Sequence, residues 1–397
     1  MKFLHLDLSI RLYAPHREYI LSTIFSSGDK EYRLNLSSVP ASKIDEAVRE
    51  FLATNQVDAI LLDPFVVLSG RRDKSFLSAN LVADDDFETR CTAISAVILR
   101  LPHLAKIICG AWLDVHSLDA ASARQLKIFL ERDDFYFWGF GAESYVEYDQ
   151  PLSEAKKTNR PHTKHFRSLF LESNLESKII PYLHSIPENI YIRPHRLKDY
   201  EEFEFDFNVP GSLGAYPNRQ NLKNFLINRA TKNYVELDGL RNALMQNFRQ
   251  QKNFTLLNMV NYLYLDLIKK SRINYVDGGK MQYVTMKYLE AGISGSLLLS
   301  PNMGTLEEYG FKPNVHFEPY ATNQELTPLF DKKSWDMKYK TIRNNCFDLV
   351  VEKHSTELRV TQFNKVIETI ISQKKPNLFK YNQGDLFYDG KLINEWA

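Results

Sequence analysis

The chain has almost no net charge, very little cysteine and no long apolar run, and each scarcity removes a class of protein. Over 397 residues, 50 Lys and Arg face 49 Asp and Glu, a formal net charge of +1. Nothing in that balance attracts a polyanion at long range, so a nucleic-acid partner would need a local basic patch. Cys91, Cys109 and Cys346 are the only cysteines. Widely spaced and odd in number, they form neither a disulfide framework nor a metal motif, and a reducing, cytoplasmic compartment is the simpler expectation. The opening residues Met1 to Leu8 meet Asp7, then Arg11, before any apolar core of export length, which predicts no signal peptide. The most apolar longer stretch, Ala93 to Val115, is interrupted by Arg100, Pro102, His103 and Lys106. It predicts no transmembrane segment and leaves peripheral membrane contact open. Internal repeats and low-complexity segments are missing too.

What is present is alternation. A chain of this length usually forms two domains with separate cores, and in the first half short apolar runs alternate with amphipathic stretches, the pattern of a doubly wound α/β domain. Strands are expected at Phe3 to Leu8, Tyr32 to Leu36, Val57 to Asp63, Lys106 to Asp114 and Phe135 to Phe140. Helices are expected at Pro15 to Phe25, Ser42 to Thr54, Asp86 to Leu99 and Ser122 to Glu131. Asp84, Asp85 and Asp86 precede a helix and read as its acidic start. The polar stretch Gln150 to His165 reads as a solvated loop, and its His162 and His165 lack ligand companions at metal spacing. No metal is assigned. Aromatics make up 13% of the chain, with 21 Tyr and 25 Phe; core packing accounts for them more readily than sugar stacking.

An acidic aromatic stretch, Lys198 to Asp206, marks the expected handover between domains. The division is residues 1–200, 201–371 and a tail, 372–397, that could cross back to the first domain. In the second half helices are expected at Arg219 to Arg229, Asn258 to Lys270 and Val284 to Gly292, and strands at Tyr234 to Leu237, Arg272 to Asp277, Ser296 to Ser300 and Asn314 to Phe317. Trp335 to Ile371 is largely helical. The strand ending at Asp277, the loop Gly278-Gly279 and the helix carrying Lys287 and Glu290 form the most informative segment. A loop opening a helix offers backbone N–H groups to a diphosphate, and a glutamate one turn on can accept two hydrogen bonds from a ribose diol. An ordinary surface helix with a Lys–Glu pair is the plainer alternative.

This segment resembles the GT-B glycosyltransferases, and within them the group related to the spore-maturation protein CgeB and the group 1 transferases. Three further stretches carry the resemblance, which covers about residues 205–371. Phe207 to Ser212 followed by Tyr216-Pro217-Asn218-Arg219 is similar to the opening strand, glycine loop and first helix of their C-terminal domain. Glu307 to Phe317 is similar to the stretch after the nucleotide helix, and His354 and Arg359 to the histidine and arginine of the last helices.

The resemblance implies an α/β, GT-B fold of two Rossmann-like domains facing each other across a cleft. It implies transfer of a sugar from a nucleoside diphosphate sugar to a hydroxyl acceptor, a glycan or glycoconjugate, with no cofactor or metal required. Donor binding would fall to Gly211, Ser212, Arg219, Gly278, Gly279, Lys280, Gln282, Lys287 and Glu290, with Lys287 and Arg219 the favoured phosphate cations and Glu290 on the ribose. Many retaining families carry two glutamates at fixed spacing, and counting back from Glu290 puts Gln282 at the first. An amide supplies no negative charge beside an oxocarbenium-like centre, so retention and inversion both stay open. An inverting reaction needs a base for the acceptor hydroxyl. Asp114 and His116, past the end of an expected strand, are candidates and His16 is a rival, although each also suits a cap or a satisfied polar group. The first βα turn, Asp7 to Leu12, lacks the glycine-rich loop of many relatives. Nucleotide-sugar epimerisation, glycerol-phosphate transfer and non-catalytic nucleotide-sugar binding are the alternatives on the same scaffold.

Overall fold

Short apolar runs become parallel strands in both halves of the chain. The structure, a computed structural model, describes residues 1–8, 11–12, 31–67, 81–82, 86–102, 105–110, 120–140, 178–186, 197–210, 217–228, 234–235, 254–278, 284–303, 305–330, 335–372 and 379–393. They fall into two units: Met1–Tyr182 with Val360–Lys380 and Leu386–Ala397, and Leu183–Arg359 with Tyr381–Asp385. The division comes directly after the last strand of the first sheet, earlier than the 198–206 stretch. That stretch belongs to the second unit, where Asp199 and Glu202 close a reciprocal capping box around the short turn Tyr200–Glu202.

The first sheet contains β1 (Phe3–Asp7), β2 (Glu31–Asn35), β3 (Ala59–Leu62), β4 (Lys106–Gly110), β5 (Phe135–Phe140) and β6 (Ile179–Tyr182). Their order is β2-β1-β3-β4-β5-β6, with every pairing parallel. Among its helices are α1 (Ile44–Thr54), α2 (Phe87–Arg100) and α3 (Ala120–Leu130). Helix α2 buries Phe87, Cys91, Ile94, Val97 and Ile98, one face at helical spacing, into the core beside the sheet. Its last carbonyls would otherwise be orphaned. Arg132 donates to Ile98 O and Leu99 O at 3.0 Å and to Leu101 O at 3.0 Å, and Asp134 holds the guanidinium at 2.8 Å. A cation at a helix C-terminus also suits the helix dipole.

The second sheet repeats the winding with β7 (Phe205–Asn208), β8 (Tyr234–Val235), β9 (Ser271–Tyr275), β10 (Leu297–Ser300) and β11 (Glu318–Pro319). Its order is β8-β7-β9-β10-β11, again parallel throughout. Helices α4 (Pro217–Asn228), α5 (Phe254–Lys270), α6 (Met286–Ile293) and α7 (Lys340–Lys353) accompany it. The expected strand over Asn314 to Phe317 is a turn instead. Asn314 adopts a positive φ of 60°, its amide donates to Phe317 O at 2.8 Å, and Lys312 N–H donates to the His316 ring at 2.9 Å. The strand begins one residue later. Below the sheet, Arg343 lies 4.8 Å from the Trp335 ring centroid and donates to Gly295 O and Lys198 O at 2.7 Å. Burial pushes its pKa down to about 10.

Helix α8 (Thr356–Ile371) is divided between the units at Arg359 and Val360, so the chain returns to the first unit within the helix, before residue 372. There Phe363 meets Phe3, ring centroids 6.3 Å apart. The tail then forms a three-stranded meander of β12 (Phe379–Asn382), β13 (Asp385–Tyr388) and β14 (Lys391–Leu392). Between its last two strands, Asp389 and Gly390 both take positive φ, 49° and 77°, as a two-residue type I′ hairpin loop requires.

His354 ties the end of α7 to the rest of the second unit. Arg359 donates to its Nδ1 at 2.9 Å, so Nε2 carries the proton and donates to Tyr309 O at 2.8 Å. The ring stacks on Tyr309 and Phe311. Burial, reinforced by the Arg359 charge, holds the imidazole neutral well below its ordinary range. The unfolded chain takes up a proton that the folded chain refuses, so stability falls as pH drops below the unfolded value of about 6.5. His316, also held low by burial and by Lys312, acts in the same sense. Urea unfolding between pH 7.5 and 5 should show this slope, with at most about 1.4 kcal/mol per pH unit from each histidine. His354→Gln should flatten it; an unchanged slope would remove His354 from the titration.

Candidate functional site in the second unit

In a doubly wound sheet, ligands bind beyond the carboxyl ends of the strands at the point where the order reverses. In the second sheet that point lies between β7 and β9. Here Arg219, in the first turn of α4, is 0% exposed. Its Nε donates to Asp277 Oδ1 at 2.8 Å, Nη2 to Asp277 O at 3.1 Å and Nη1 to Pro210 O at 3.1 Å. Tyr275 donates to the other carboxylate oxygen at 3.3 Å; burial, then the Asp277 charge, raises its pKa and keeps it a donor. The guanidinium thereby joins the loop after β7 to the loop after β9. Arg219, the residue expected as a phosphate cation, turns its fork to protein acceptors inside the fold. Sequence reasoning offers no pairing for Asp277; its one signal is a carboxylate closing an apolar strand just before Gly278-Gly279.

Beyond Asp277 and the buried Gly278 comes α6, which carries Lys287 and Glu290. A tight contact on its far side seats it: a Cβ on Gly292 would lie 2.7 Å from Val350 Cγ2 and 3.0 Å from Cys346 Sγ of α7. Tyr288 locks the near side, its hydroxyl 3.0 Å from Ser300 Oγ and 3.3 Å from Val276 O. Glu290 is buried, and its Oε2 accepts a 2.6 Å hydrogen bond from Tyr264 of α5. Burial raises the carboxyl pKa, while the Tyr264 bond and the Lys287 charge pull it down. Tyr264 and the N-cap residue Thr285 were not singled out by sequence reasoning.

Among the described residues, Arg219 opens α4 and Gly278 follows β9, while Lys287 and Glu290 lie on α6. Gly211, Ser212, Gly279, Lys280, Gln282, His16, Asp114 and His116 lie outside the described residues, as do Asp84, Asp85 and the 150–165 stretch. Asp86 occupies the N-cap position of α2 but makes no capping bond; its carboxylate lies 3.8 Å from Arg90.

At the corresponding end of the first sheet, His5, Asp7 and Asp63 converge, their ligating atoms within 4.8 Å of one another. Arg33 holds Asp7 Oδ2 through two contacts of 2.7 Å. No helix among the described residues is long and apolar enough to cross a membrane.

Neither a protein-family model nor a curated protein sequence matches the chain. Solved structures do. A glycosyltransferase from Rickettsia africae superposes with a TM-score of 0.51 at 10% identity, covering 94% of this chain and 98% of the other. The Anabaena protein Alr3699/HepE, in complex with UDP-glucose, gives 0.53 at 11% identity over 94% and 100%. At such identity the likeness concerns the fold, and the fold is GT-B, with two parallel α/β units of Rossmann type.

Replacing Arg219 with Met should destabilise the protein by about 3–5 kcal/mol, because Asp277 keeps its charge in a buried site. Arg219→Met with Asp277→Asn should recover part of that loss. Unfolding curves check both, and additive losses in the double variant would show that the pair is not coupled.

Proposed function

We propose that this protein is a GT-B glycosyltransferase, related to the CgeB-like group, that moves a sugar from a nucleoside diphosphate donor to a hydroxyl acceptor of a glycan or glycoconjugate. The observation that carries the reading is the juxtaposition of the Arg219–Asp277 staple at the switch point with the helix bearing Lys287 and Glu290. It gives one end of the second sheet a rigid loop pair, a helix start and a carboxylate. The co-crystallised UDP-glucose of the Anabaena protein of like fold supports the donor class.

In this reading the nucleotide belongs to the second unit. Glu290 accepts the ribose diol, and the amides opening α6 with Lys287 stabilise the diphosphate as charge collects on the leaving group. Gly211, Ser212, Gly279, Lys280 and Gln282 complete the donor contacts. The acceptor proton goes to Asp114 or His116, with His16 as rival. Helix dipole and lysine do the work of a divalent ion, so no metal enters the reaction.

A thermal-shift screen of nucleotide sugars should find one that raises the melting temperature, and that donor should be hydrolysed slowly without acceptor. Saturable affinity with no hydrolysis would identify a binding protein instead. Glu290→Ala should weaken nucleotide binding about ten- to a hundredfold, as expected for two lost charge-assisted bonds; full affinity in a folded variant would take Glu290 out of the site. Turnover should also persist in excess chelator. Complete loss, restored by Mg2+ or Mn2+, would overturn metal independence.

A further inference from the structure

A threonine at a helix N-cap ordinarily turns its hydroxyl onto an amide of the first turn. Thr285 holds that position at α6 in an extended conformation, φ −98° and ψ 162°, yet makes no capping bond. The residue is 7% exposed, and its Oγ1 is buried with no hydrogen-bond partner among the described residues. Leaving a buried hydroxyl without a partner destabilises the fold, and valine would fill the same volume without that cost. The hydroxyl is therefore unexplained by the fold of the free protein, whose neighbouring polar groups on this helix are engaged: Tyr288 with Ser300 and Val276, Glu290 with Tyr264.

Its position supplies the explanation. Thr285 opens a helix of 8 residues, where the helix start and the positive end of the dipole favour an anion, and Lys287 stands two residues on. A hydroxyl there is a donor in search of an acceptor, and phosphate oxygens are acceptors only. We infer that Thr285 is a ligand-binding residue whose Oγ1–H donates to a phosphate oxygen of the bound nucleoside diphosphate at the start of α6. The inference rests on the nucleotide reading above and adds to it a side chain selective for the phosphates over the nucleoside.

Titration calorimetry of wild type, Thr285→Val and Thr285→Ser tests it. The probes are UDP, GDP and ADP, with the nucleoside of whichever binds measured by displacement, and pyrophosphate alone. Thr285→Val should bind the preferred diphosphate about ten- to a hundredfold more weakly and its nucleoside equally well. It should melt no lower than wild type, since it removes a bond that was never made. Thr285→Ser should restore most of the affinity. Weakening of pyrophosphate in parallel would support the phosphate contact by itself. Equal diphosphate affinity in Thr285→Val overturns the inference, as does a lower melting temperature with nucleoside and diphosphate weakened together, the mark of a packing role. A wild type that binds none of the three diphosphates sinks the nucleotide reading and this inference with it. If Glu290→Ala loses affinity while Thr285→Val keeps it, this inference alone fails.

Discussion

The buried pair of Arg219 and Asp277 is the constraint from which the end of the second sheet takes its shape. A doubly wound sheet opens a crevice because the loops after β7 and β9 leave in opposite directions, and nothing in the strand pairing itself fixes those loops. Two apolar side chains of the same volume could stabilise the core as well as an ion pair does. They could not specify direction. The planar fork of the guanidinium reaches Pro210 O, Asp277 O and Asp277 Oδ1 together, so the backbone of both loops is held relative to one rigid group. Tyr275 then adds a donor to the second carboxylate oxygen and packs edge-on against Tyr320 at 5.2 Å.

With the loops fixed, the placement of α6 is decided by what packs behind it. Gly292 lets α7 come so close that any side chain there would press into Val350 and Cys346. The helix is thus seated from the core side, and its other residues inherit their positions. Glu290 is the sensitive one. Burial works against its charge, and Tyr264 and Lys287 work for it. A carboxylate balanced this way gains from any ligand that brings donors to it, and a vicinal diol brings two.

The sequence made the fold readable where periodicity and burial coincide. Ala59–Leu62 and Leu297–Ser300 are fully buried strands, and an apolar run bounded by turn residues betrays such strands. Helix α2 showed its face through Phe87, Cys91, Ile94 and Ile98. The Asn314 turn was missed because Val315 and Phe317 alternate as in a strand, while the local bonds of Asn314 and His316 override that pattern. The final hairpin was legible and overlooked: Asp389-Gly390 between alternating apolar residues is a strong turn signal. Of the candidate site, Glu290 and Lys287 stand out by type and spacing. The role of Arg219 does not, because a cation in a first helical turn reads alike whether it faces a ligand or a carboxylate 58 positions away. Only the three-dimensional pairing separates the two.

Both sheets share one winding order, so topology alone offers two equivalent crevices, and the residues closing the strands must break the tie. At the first sheet Asp7 and Asp63 gather about His5, with Arg33 on Asp7, a group in which carboxylates predominate among the described residues. At the second, one guanidinium faces one carboxylate, and the pair is electrically balanced. The start of α6 then stands beside a neutral staple, where its dipole and Lys287 favour negative charge.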